Sequence, residues 1–129
     1  VKVLFGLDNR VRSHIAQEAI LAGQSLYKLT TGKVGLAGAA AAGKQETIGI
    51  ALNSVAAGEA VAVVEFGAVG GFAVSGLSVD VQIYQSDTLG ALADAAGTKS
   101  VVVGRIKSLT DAPTYTKYLE FYAPPATKR

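Results

Sequence analysis

The sequence has no cysteine, no methionine and no tryptophan, and it contains a single histidine, His14. Without cysteine the chain has no disulfide framework, no thiolate metal site and no thiol nucleophile. One histidine excludes a site with several histidine ligands, and the neighbouring Arg12 and Ser13 do not indicate a catalytic triad. We therefore expect His14 to be solvated or packed within an extended arm.

Long apolar runs are also missing. Charged residues interrupt every apolar stretch well before the ~20 residues that a membrane-spanning helix needs, and the N-terminus has no signal-peptide pattern. Because the sequence begins at Val1, we expect an initiator methionine or a leader to have been removed, or the expressed chain to start there. A chain of 129 residues suits one domain, or two small lobes that share a core.

Net charge is low, because 12 basic and 10 acidic residues leave only +2. The ends are nevertheless basic and the middle is acidic. Residues 1–33 carry five basic and two acidic groups, residues 34–99 two and six, and residues 100–129 five and two. Nucleic-acid-binding proteins usually cluster many more basic and aromatic residues, so no nucleic-acid partner is expected. The charges are either solvated surface groups or basic terminal arms that dock on an acidic neighbour.

Hydrophobic residues make up 50% of the chain, but many of them are alanine and valine. A core of such small side chains is thin, and chains of this kind often gain stability by assembling. We therefore expect a homo-oligomer.

Short strands separated by turns dominate the chain. Residues 78–84 alternate between apolar and polar side chains, which is typical of a half-buried strand. The predicted strands are residues 26–29, 33–36, 47–52, 60–66, 78–84, 101–106 and 115–122, with residues 1–5 as a short strand or extended arm. Glycines 67, 70 and 71 are expected to end the strand that begins at residue 60, whereas residues 8–22 fit a helix and an extended segment equally well.

This pattern predicts an all-β fold, a small β-barrel or sandwich with an extended N-terminal arm. The predicted divisions are an arm at residues 1–20, a barrel domain at 21–123 and a C-terminal tail at 124–129. A weak internal repeat, offset by 54 to 58 residues, predicts two pseudo-repeated hairpin units. It aligns Leu26-Tyr27 with Ile83-Tyr84, Thr31-Gly32 with Leu89-Gly90, Gly49 with Gly104, Ser54 with Ser108, and residues 63–66 with residues 118–121.

Two glycine-rich stretches resemble nucleotide-binding loops, but neither has the required context. Residues 38–45 come within one residue of a P-loop, yet Gln45 replaces the magnesium-binding hydroxyl and a strand is predicted next rather than a helix. The glycines of residues 67–72 lack the spacing and the βαβ setting of a dinucleotide fingerprint. Asp80, Asp87 and Asp94 are not paired as general acid and base. We expect no enzyme activity, no catalytic or metal site and no cofactor.

Several turn and strand motifs are familiar as a set: AILAGQSLY at residues 19–27 with GKV at 32–34, IGIALNS at 48–54 with AAGEAV at 56–61, and Tyr84 with SDTLG at 86–90 and VG at 103–104. Together they resemble small head decoration, or cement, proteins of tailed bacteriophages, over residues 19–108. The N-terminal arm and the proline-ended tail match nothing in that family.

The resemblance implies a β-rich structural protein on the outer surface of a virion, assembled in the host cytoplasm. Such proteins commonly form homotrimers that clamp adjacent major capsid subunits, and the family carries no catalytic residues. Within the arm we expect Phe5, Arg10 and Arg12 to contact the capsid or a neighbouring copy. Another structural virion role, as a minor capsid or tail component, and a small β-barrel ligand- or carbohydrate-binding module remain as alternatives.

Overall fold

The structure, a computed structural model, describes residues 2–3, 10–70, 80–108 and 117–122, and these residues are all-β. Phe5 and the predicted tail at residues 124–129 lie outside them. The strands are β1 (Lys2–Val3), β2 (Arg10–Ile15), β3 (Ser25–Lys28), β4 (Val34–Leu36), β5 (Gly49–Ala51), β6 (Ala60–Gly70), β7 (Gln82–Gln85), β8 (Leu92–Ala93), β9 (Val102–Ser108) and β10 (Lys117–Tyr122).

The strands form one antiparallel sheet whose order across the path is β4-β3-β5-β6-β10-β9-β7-β8, with β1 and β2 paired to β6. The second half of this order mirrors the first, with β7, β8, β9 and β10 in the places of β3, β4, β5 and β6. The registers of the two hairpins agree as well: the Tyr27–Gly35 pair of the first hairpin corresponds to the Tyr84–Ala93 pair of the second. The predicted repeat of two hairpin units is therefore confirmed.

The two ends of the sheet meet, because backbone hydrogen bonds join the first hairpin to the second. The amide of Ser25 donates to the carbonyl of Gly90 at 3.0 Å, and the amide of Gly90 donates to Ala37 at 2.7 Å. The amide of Ala39 donates to Ser86 at 2.9 Å. This seam curls the sheet into a small barrel, as the strand pattern predicts.

A buried glutamine reinforces the seam. The side chain of Gln85 is fully buried, and its amide nitrogen lies 3.0 Å from the carbonyl oxygen of Ala37 and 2.9 Å from that of Ala91. The hydroxyl of Thr47 donates to Oε1 of Gln85 at 2.8 Å. One side chain thus links the segments after β4, before β5 and before β8.

Strand β6 separates two apolar clusters, because its side chains alternate between the faces of the sheet. Val64 packs on one face with Phe121 and Ile106, and Val63 packs on the other with Ile20 and Leu26. Both valines are completely buried, so β6 is covered on both faces over this part of its length.

Most strand boundaries agree with the sequence prediction within two residues, and two differ by more. Strand β6 does not end before Gly67 but continues to Gly70, because β10 pairs with residues 66–69, including Gly67, and β1 pairs with Val69 and Gly70. Strand β7 begins only at Gln82, because Asp80 has a φ of 72° and forms a turn. An L-residue in this left-handed conformation interrupts a strand.

The ambiguous segment at residues 8–22 contains a strand and no helix in its described part. Strand β2 pairs antiparallel with β6 from Arg10 opposite Phe66 to Ile15 opposite Ala60. The next residues enter the interior, since Ala16 is fully buried. Residues 10–20 of the predicted arm therefore belong to the sheet and its core rather than to a free extension.

Candidate functional site

Strand β2 presents an open sheet edge. It pairs with β6 on one side, and no other strand of the described residues pairs with it. Of its six residues, five are exposed and only His14 is partly buried. A strand directs alternate N–H and C=O groups away from the neighbour it pairs with. The outer edge of β2 is therefore unpaired within the described residues, and we call it the β2 edge.

The two faces of β2 differ in chemistry. Arg10, Arg12 and His14 are two positions apart and so share one face of the strand, while Val11 and Ile15 share the other. Arg12 is 65% exposed at its side chain, and Val11 and Ile15 are 46% and 42% exposed. The β2 edge thus carries a basic face and an apolar face side by side.

Glu65 of β6 anchors the basic face. Arg10 pairs with Phe66 and Val11 with Val64, so the register shifts at Glu65, which has no partner in β2. By alternation along β6, Glu65 lies on the same face as Val63, the register partner of Arg12, and its carboxylate reaches back to β2. The Nε2–H of His14 donates to Oε2 of Glu65 at 2.9 Å, and Nε of Arg12 lies 3.6 Å from Oε1.

The two contacts of Glu65 with β2 are unequal. The side chains of His14 and Glu65 are only 10% and 14% exposed, so their hydrogen bond is shielded from water. Arg12 is mostly solvated, and an exposed ion pair contributes little stability. His14 therefore fixes β2 against β6, while the guanidinium of Arg12 is largely available to a partner.

This arrangement does not assemble a reaction centre in the described residues. A histidine–carboxylate pair becomes catalytic when the histidine contacts a nucleophile or a substrate proton, and no hydroxyl there hydrogen-bonds to His14. Ser13 lies on the opposite face of the strand. Within the same residues, no group of three or more histidine, cysteine, aspartate or glutamate side chains is placed to hold a metal ion.

The P-loop-like stretch lies in a compact loop between β4 and β5. The amide of Gly38 donates to the carbonyl of Lys44 at 2.9 Å and closes the loop on itself. The side-chain amide of Gln45 donates to Ala39 at 2.8 Å. Strand β5 follows, so the loop has no helix N-terminus at which a phosphate would bind.

Two of the three aspartates singled out from the sequence, Asp80 and Asp87, make separate structural contacts. Oδ1 of Asp80 accepts a hydrogen bond from Nζ of Lys107 at 2.7 Å, which holds the pKa of Asp80 below its ordinary value and raises the pKa of Lys107. Asp87 instead accepts hydrogen bonds from the backbone and hydroxyl of Thr98. Both aspartates brace connections of the second hairpin unit.

Of the three residues predicted to contact a partner, the structure places two. Arg10 and Arg12 lie together on the basic face of the β2 edge, and Phe5 lies outside the described residues. Sequence reasoning missed Glu65, because its pairing with His14 joins positions 51 residues apart. The local signal, an acidic residue within an apolar strand, is compatible with simple exposure.

The described part of the chain contains no helix of the length and apolar character that crossing a membrane requires. Comparisons of the chain with protein-family models, curated proteins and solved structures find no match.

Proposed function

We propose that this protein is a structural component of a phage virion that decorates the outer surface of the capsid and stabilises it by clamping adjacent major capsid subunits. The β2 edge is the surface through which it attaches. In this proposal the protein acts by binding, without catalysis or cofactor, and it assembles as a homotrimer on the shell.

The observation that carries the proposal is the open, two-faced edge of β2. An ordered strand with exposed arginines and exposed aliphatic side chains is suited to lie against another protein. The motif resemblance over residues 19–108 supplies the identity of that protein as a capsid subunit. Assembly as a homotrimer supports attachment to the shell physically, because several linked weak contacts to one surface give strong attachment through effective concentration.

The alternative of a carbohydrate-binding module has less support. Such a site needs exposed aromatic rings grouped around a concave surface. Among the large hydrophobic residues that the structure describes as exposed, Phe66 is the one aromatic residue. No observation favours this alternative over attachment to a shell.

Attachment is tested by mixing the purified protein with undecorated heads of the phage that encodes it and sedimenting the particles. The double variant Arg10→Glu/Arg12→Glu is expected to lower the bound fraction at least about tenfold, which corresponds to ~1.4 kcal/mol per site. The loss follows from reversing two exposed charges at the contact.

The matched control is Lys28→Glu/Lys33→Glu, which makes the same charge change at exposed positions of the first hairpin. This control is expected to bind like the original protein. Equal loss in both variants would show that net charge rather than the β2 edge governs binding, and absence of binding by the original protein would overturn the proposed function.

A further inference from the structure

The β2 edge has the properties of an acceptor for one more strand. It is six residues long, it is paired along its whole length with β6, and the shielded hydrogen bond between His14 and Glu65 holds it in place. Because β2 is already ordered, binding of a partner strand does not carry the entropic cost of ordering β2. We propose that an extended, acidic segment of another protein adds to this edge as a further strand of the sheet.

Charge argues against a second copy of the same strand as the partner. In a two-fold antiparallel pairing centred on Arg12, the two copies of Arg12 lie opposite each other. Centring on Ser13 instead places the two copies of Arg12 at diagonal positions on one face. Like charges directly opposite on neighbouring strands are destabilising, and diagonal neighbours are within reach of long side chains. The edge therefore disfavours its own copy, a device that natural sheets use against edge-to-edge association.

The same charges define the partner. The basic face presents two arginines, and Glu65 offsets only one of them because it is the single acidic group within ion-pair distance of this face in the described residues. An added strand gains most when glutamate or aspartate faces Arg10 and Arg12. On its other face, Val11 and Ile15 favour aliphatic or β-branched side chains. The partner segment thus alternates acidic and apolar residues.

This inference rests on the proposed function only for where the segment occurs, namely in a capsid subunit. The strand addition itself follows from the backbone edge and its side chains, and it is tested without a capsid. The probe is a capped synthetic peptide of alternating glutamate and valine, added to the isotope-labelled full-length chain. Backbone amide shifts and hydrogen exchange are read residue by residue.

The expected result is slower amide exchange within residues 10–15 and binding at least about tenfold tighter than that of the same peptide with lysine in place of glutamate. The variant Arg10→Glu/Arg12→Glu is expected to reverse this preference and select the lysine peptide. The control Lys28→Glu/Lys33→Glu is expected to leave it unchanged.

Two further peptides separate strand addition from simple charge attraction. Both keep the glutamates, and each carries N-methyl groups on one of the two alternating sets of backbone amides, which blocks one of its two hydrogen-bonding edges. We expect the peptide whose blocked edge faces β2 to lose binding at least about tenfold and the other to bind normally.

Each of the following results would overturn the inference: equal binding of both methylated peptides, amide chemical-shift changes confined to residues outside β2, or tighter binding of a DNA oligonucleotide at the same amides. Concentration-dependent protection of β2 without peptide would also do so, by making a second copy the occupant. If the peptide does not bind but the protein still attaches to capsids, only strand addition is overturned. If the peptide binds but the protein does not attach to capsids, only the proposed function is overturned.

Discussion

Replacing Gly104 with alanine is expected to destabilise the barrel more than any change at its surface. A Cβ atom built at Gly104 overlaps the carbonyl oxygen of Glu120 and lies 3.1 Å from the Cα of Phe121, both in the neighbouring strand β10. The obstruction is backbone, which cannot rotate away as a side chain can. We expect a loss of at least about 3 kcal/mol in the free energy of unfolding.

The measurement is denaturant unfolding followed by a probe of β-structure, with thermal unfolding as a second readout. For a domain of this size about 3 kcal/mol lowers Tm by roughly 10 °C. The control is Gly43→Ala, because Gly43 has a φ of 81° but nothing within 4 Å of an added Cβ. That variant carries only backbone strain of about 1 kcal/mol. Similar losses in both variants would contradict the close approach of β9 and β10.

Replacing Gln85 with leucine is expected to open the seam of the barrel. Leucine is close in volume but has no polar atom, so the carbonyls of Ala37 and Ala91 lose their side-chain donor and the Thr47 hydroxyl loses its acceptor. The two carbonyls keep their backbone donors, Gly90 and Ser86, so the cost comes from the lost hydrogen bonds, about 1 kcal/mol each, and from the Thr47 hydroxyl left without its acceptor. We expect a total loss of about 3 kcal/mol, with faster amide exchange in both hairpins.

The matched control for the seam is Gln82→Leu. Gln82 lies on the same strand and is partly exposed, and its side chain accepts a hydrogen bond from the Tyr84 hydroxyl rather than bridging hairpins. This variant is expected to change stability by less than about 1 kcal/mol. If Gln85→Leu were as stable as the control, the buried network would not be what joins the two ends of the sheet.

The internal repeat explains why so much of the fold could be predicted from the sequence. Alternating side chains mark the strands, and glycines mark the turns and close approaches, and both signals are local. Gly49 and Gly104 were aligned by sequence, and in the structure they pair with the equivalent residues Leu26 and Ile83. At both positions the next strand passes too close for a side chain, which explains why glycine occurs in both halves.

The repeat does not extend to the seam. Lys28 and Gln85 occupy equivalent positions of the two hairpins, yet Lys28 is exposed and Gln85 is fully buried. The difference arises because only the second position faces the segment that contains Ala37. Such asymmetry depends on how the two halves meet, which hairpin patterns in the sequence do not encode.

The candidate site could be predicted only in part, for a related reason. The basic character of Arg10 and Arg12 is visible in the sequence, and it indicates a contact surface. That these residues lie on a fixed edge strand depends on pairing with β6, some 50 residues away in the chain. The register shift at Glu65 is likewise not encoded in the periodicity of either strand, and it is part of what decides which residues of β2 the carboxylate reaches.

The central claim is that the protein works by binding to a larger shell through the β2 edge. The most direct test is a three-dimensional reconstruction of phage heads with and without the bound protein. We predict added density on the outer surface, with the barrel oriented so that Arg10–Ile15 meet the capsid subunit. Heads that gain no density, or barrels that attach with β2 facing solvent, would contradict it.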